Sequence, residues 1–141
     1  MRRLFGFSLL TMAVAFGINL LAANEKPSDA LKAIMMANAA TNTTARAAAK
    51  AMDYATLVKD AGTYRADFAY IDAFFSHKKM DAAATIARGA MKAAMDLEAA
   101  ATAKDQAAVE AALTAVPGAC GACHKQYREQ LPDKTYEIKV P

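Results

Sequence analysis

The chain has 141 residues, with 17 Lys and Arg against 14 Asp and Glu, for a formal net charge of +3. Hydrophobic residues make up 55% and charged residues 22%, which is the balance of a globular chain with one domain and a core of its own. No basic patch interleaved with aromatics occurs, which argues against a nucleic-acid binder.

Residues 1–23 read as a secretory signal peptide. Arg2 and Arg3 give the positive start, residues 4–21 the apolar stretch, and Ala22 and Ala23 the small residues before the cut. The alternative is a retained membrane anchor. No cysteine follows the apolar run, which excludes a lipid-anchored start. Cleavage removes two of the 17 basic residues, leaving 15 against 14 acidic ones, a net charge of +1. The expected mature domain is 24–141. Its apolar segments are too short and too rich in Ala for a membrane span.

Gly and Pro are scarce before residue 117, so helix is expected nearly throughout. A first helix is expected over residues 28–52, capped by Ser28 or Asp29. Its inward stripe comprises Leu31, Ile34, Met35, Asn38, Asn42, Ala45, Ala49 and Met52. A second covers 54–77 with Asp53 as N-cap. Its Leu57, Ala61, Tyr64, Phe68, Ile71 and Phe75 step alternately by four and three. A third covers 81–102, with Ala84, Ala87, Met91, Ala94 and Leu97 on one face. A fourth covers 105–130, with Leu113, Val116, Cys120, Cys123 and Tyr127 on its stripe. Pro117 is expected to kink or break that helix. The joints are short, so sequential helices run antiparallel. The expected fold is all-α, an antiparallel up-down-up-down four-helix bundle, with an extended tail over 131–141.

The only two cysteines fall in Cys120-Gly121-Ala122-Cys123-His124. This CxxCH is the attachment signature of a c-type haem. Each thiol adds to one porphyrin vinyl group, and the following imidazole ligates the iron. Two cysteines placed at random would fall three apart about one time in seventy, before asking for the histidine. A disulfide, a zinc site and a thiol redox pair are the competing readings. Zinc needs four ligands at fixed spacing, and the chain offers only two Cys, His124 and the distant His77. A redox CxxC needs a βαβ context that the pattern lacks. The expected cofactor is therefore haem c, linked to Cys120 and Cys123, with His124 as proximal iron ligand. Bacterial c-type haems are attached outside the cytoplasmic membrane, so the haem reading agrees with export to the periplasm. With much of the seam made of Ala, the haem is expected to form a large part of the core.

A single CxxCH near the end of an Ala-rich helical bundle resembles the cytochrome c′ family. The segment Cys120-Gly-Ala-Cys123-His124-Lys-Gln-Tyr127-Arg128 carries the resemblance, together with Lys32-Ala-Ile-Met35-Met36-Ala-Asn38 in the first helix and the 131–139 tail. Pro117-Gly118 departs from it. The resemblance implies that Met35 occupies the distal haem position, with Met36 next to it. In one branch of the family a distal Met ligates the iron and the protein transfers single electrons. In the other an apolar side chain only covers that face, and the haem binds gases such as nitric oxide or carbon monoxide.

The first reading is therefore a carrier, not an enzyme, working with redox partner proteins. The second is a gas-binding protein, and the third is a helical haem module used for sensing or partner binding. Arg128, four residues after His124, is a candidate to sit beside the imidazole or a haem propionate; a solvated helix-end charge is the alternative. Tyr127 is expected to pack on the haem edge. Asn38 and Asn42 are expected to need partners, a propionate or a neighbouring helix. Tyr64 and Phe68 are expected in the core, or else on the subunit face of a homodimer, which the resemblance also allows. His77 reads as a solvated helix end.

Overall fold

The computed structural model describes residues 23–140. The signal-peptide reading of 1–23 thus lies, but for Ala23, outside the described residues. Four helices follow in chain order: α1 (Asp29–Lys50), α2 (Tyr54–His77), α3 (Asp81–Ala103) and α4 (Gln106–Tyr127). Two short strands close the chain, β1 (Arg128–Gln130) and β2 (Tyr136–Ile138).

The helix starts follow local chemistry. Ser28 accepts from the Leu31 amide, Asp53 from Thr56 and Asp105 from Ala108, so three of the four helices have a side-chain cap. Met52, Lys79 and Lys104 adopt positive φ in the three joints, which turns the chain back within a few residues. The helices run antiparallel. Thr44 of α1 donates to Asp60 of α2, and Glu25 before α1 pairs with Lys78 after α2. Arg88 with Asp72, and Arg65 with Glu98, tie α3 to α2 in the same sense.

All six residues of the expected α2 stripe are buried. Small residues fill α3 opposite them; Ala83, Ala84, Ala87 and Ala94 let α3 pack closely against both α2 and α4. α1 leans on α2 and α4 less closely, and a cleft opens beside its first turns. Met52 departs from the expected stripe: it lies beyond the last turn of α1 and is exposed. Tyr64 and Phe68 stack on each other within this chain's own core, 1% and 5% exposed. The subunit-face reading of that pair is therefore corrected: these rings have no surface to offer a second copy.

α4 runs through Pro117 to Tyr127, so the break, one of the two expected outcomes, does not occur. Proline lacks the amide hydrogen that would bond the carbonyl four residues earlier. That carbonyl, on Leu113, instead accepts from Arg46 Nη2 of α1 at 3.2 Å. A donor from another helix thus meets the carbonyl that Pro117 leaves without its helical partner.

The tail is more ordered than an extended flap. β1 and β2 pair antiparallel, with Arg128 opposite Ile138. Ile138 also exchanges both backbone hydrogen bonds with Glu25, at 3.1 and 2.7 Å. The two ends of the described chain are thus joined side by side at the end of the bundle where α1 begins and α4 finishes.

Candidate functional site

Cys120, Cys123 and His124 lie on the last turns of α4. On a helix, residues three apart share a face, so both half-buried thiols are turned to the same side of α4. Cys123 meets a cavity of about 490 Å³ lined by Leu31 and Met35 of α1, Phe75 of α2, Cys123, His124 and Tyr127 of α4, and Ile138 of β2. A smaller cavity of about 20 Å³ lies toward the bundle core, between Met35, Phe68, Ile71, Ala119 and Cys120. Met35, Cys123 and His124 line both, so the two are lobes of one cleft.

The cleft wall is almost wholly apolar. Charge appears only on Lys32, Arg128 and Glu137. Tyr127 packs its ring against Phe75 at 6.4 Å, and Phe75 meets Phe74 edge-on at 5.1 Å. Arg128 caps the end of α4 by donating its amide to the His124 carbonyl, and its guanidinium lies 4.4 Å from the centre of the Tyr136 ring.

The electrostatics follow from the apolar wall. Burial, and then the Arg128 charge, hold the His124 imidazole below the usual histidine value, so the ring is neutral and has a lone pair free for a metal. Burial pushes the Cys120 thiol up, and burial with the neighbouring Cys120 pushes Cys123 up to about 11. Burial also raises the Tyr64 phenol. Tyr64 Oη, both side-chain polar atoms of Asn38 and Asp67 Oδ2 are buried without a protein partner. Asn42 differs from Asn38: its Oδ1 accepts from Arg46 Nε at 3.3 Å.

The residues fit a haem. A cavity of several hundred Å³ suits a single large organic ligand. Its wall matches an apolar macrocycle, Lys32 and Arg128 on its rim suit carboxylate substituents, and two thiols with an adjacent neutral imidazole stand on one side. The competing readings find less. Among the described residues no group of three or more His, Cys, Asp or Glu can hold a metal ion, which leaves zinc without a ligand set. Nor is there a βαβ unit among them for a thiol redox pair.

A family model described as Cytochrome C' matches residues 32–128. The chain belongs to the cytochrome c′ family. Membership brings covalently attached haem c, consistent with Cys120 and Cys123 in the CxxCH, and makes this chain a monohaem c-type cytochrome. No curated protein and no solved structure matches the chain. Among the described residues no helix is long and apolar enough to cross a membrane.

The structure brings Met35, Cys120, Cys123, His124 and Arg128 of this cytochrome to one cleft. It leaves His77 exposed at the end of α2 and Met36 largely in solvent. Sequence reasoning did not find Lys32 and Ile138 as cleft residues. Alternation of apolar and charged residues over 136–140 was the available signal for the tail, but not for what it covers.

Proposed function

We propose that this cytochrome is an exported, periplasmic one-electron carrier, with 1–23 as its signal peptide and Met35 as the distal iron ligand opposite His124. The observation that carries this reading is the position of Met35. It is the one methionine lining both lobes of the cleft, and it shares both with Cys123 and His124. Haem iron held by His and Met supplies a reversible one-electron couple, and the thioether raises its potential. Of the chain's own residues, Leu31, Phe75, Tyr127 and Ile138 would set apolar surface against that group. Arg128 and Lys32 at the rim would hold the carboxylate substituents of that group, and burial, then the Arg128 charge, keep the His124 ring neutral. With both axial positions taken, no site is left for a substrate, so the protein is a carrier and not an enzyme. Its partners are redox proteins that approach the rim.

The second reading is gas binding, with Met35 only covering the distal face. The smaller lobe favours it: about 20 Å³ beside Met35, walled by Phe68, Ile71 and Ile86, has room for a particle the size of one water.

An optical spectrum of the purified holoprotein, oxidised and reduced, with and without carbon monoxide, separates the two. A low-spin spectrum with a weak sulfur-to-iron band, unchanged by the gas, is the expected result. A high-spin spectrum that shifts with carbon monoxide would overturn the carrier reading in favour of gas binding.

A further inference from the structure

Pro117 and Gly118, two of the poorest helix formers, stand immediately before the attachment turn, yet α4 continues to Tyr127. The Leu113 side chain is 4% exposed, so its backbone sits against the core, where an unpaired carbonyl is costly. We propose that Arg46 is a positioning residue for the haem: its guanidinium replaces the missing Pro117 amide and so fixes the attachment turn of α4 relative to α1. The bond to the Leu113 carbonyl is 3.2 Å long and partly buried, and the Asn42 side-chain Oδ1 accepts from Arg46 Nε at 3.3 Å, which aims the side chain. A second tie, from Gln106 Nε2 to the Ala49 carbonyl, pins the same two helices nearer the start of α4.

The geometry links this bond to the iron site. Pro117 lies less than one helical turn before Cys120, so a bend there would swing Cys120, Cys123 and His124 together. Arg46 is on the helix that carries Met35, about three turns further along. The clamp therefore sets the separation between the wall that bears His124 and the wall that bears Met35. The inference rests on haem attachment at Cys120 and Cys123, and holds whether or not Met35 ligates the iron.

The test is a cycle of Arg46→Met, Pro117→Ala and the double variant, each prepared as holoprotein. Three quantities are read: covalent haem per chain by mass, amide hydrogen exchange over residues 118–123, and the absorption maxima with the reduction midpoint. In the presence of Pro117, Arg46→Met is expected to raise exchange roughly tenfold and to shift both the spectrum and the midpoint. In the Pro117→Ala background, where Ala supplies the amide hydrogen, Arg46→Met is expected to change none of them. Equal shifts in both backgrounds would mean that Arg46 acts only as a nearby charge, and would overturn the clamp, as would no shift in either. If Arg46→Met alone yields no holoprotein, recovery in the double variant supports the clamp and continued failure overturns it. A wild type without covalent haem overturns the attachment reading alone, since the exchange comparison still judges the hydrogen bond.

Discussion

Met35 stands half-buried between the two lobes of the cleft, while Met36, the next residue, is 74% exposed at the mouth of the larger one. One residue along a helix rotates a side chain by about 100°, so only one of the pair can face the interior. Replacing Met35 by Ala is therefore expected to abolish the sulfur-to-iron absorption band and open the iron to carbon monoxide. Replacing Met36 by Ala is expected to leave both unchanged. Optical titration of the two variants with the gas checks this.

The cleft makes the fold depend on what fills it. α3 packs through Ala, which contributes little apolar area per residue, while Leu31, Phe75 and Ile138 turn apolar surface to the cavity. A Cys120→Ser, Cys123→Ser variant cannot form the thioethers. Its helical circular dichroism is expected to melt about 10 °C or more below the holoprotein, a shift of the size that losing a tightly held ligand produces.

Asp67 gives a pH dependence of known sign. Its Oδ2 is buried without a partner, and burial raises its carboxyl above the usual value of 3.8. The folded chain then holds this proton more tightly than the unfolded one. Stability is lost as pH rises from 3.8 through the higher folded value, and the loss persists above it. Asp67→Asn is expected to raise the denaturant midpoint at pH 7 and to have little effect below pH 3.8. Chemical denaturation of both proteins at the two pH values measures it.

Ile138 is 5% exposed, lines the cleft and is held by backbone bonds to Glu25. Ile138→Ala is expected to cost about 2 kcal/mol, the lower end for an apolar truncation because the site is peripheral. It is also expected to speed reduction of the holoprotein by small soluble reductants. Urea unfolding and stopped-flow absorbance provide the two readouts.

The sequence was most legible where contacts are local or periodic. The α2 stripe from Leu57 to Phe75 is buried at every expected position, and Asp53 caps as its place before the helix implies. The CxxCH could be read because its chemistry is confined to five successive residues. What failed depended on distance along the chain. The donor that rescues Pro117 comes from Arg46, on another helix. Met52 continues a periodic stripe, but periodicity does not say where a helix stops, and α1 ends before it. The tail is held as a cleft wall partly by Glu25, at the opposite end of the described chain.

That last pairing bears on the order of assembly. The wall on the tail side of the cleft joins Glu25 to Ile138, so it cannot exist until almost the whole chain has emerged. Both cysteines and all four helices precede the tail in synthesis. The bundle can gather while that side still stands open, and the tail then shuts it. A chain shortened at either end has the same defect, a doorway that never closes.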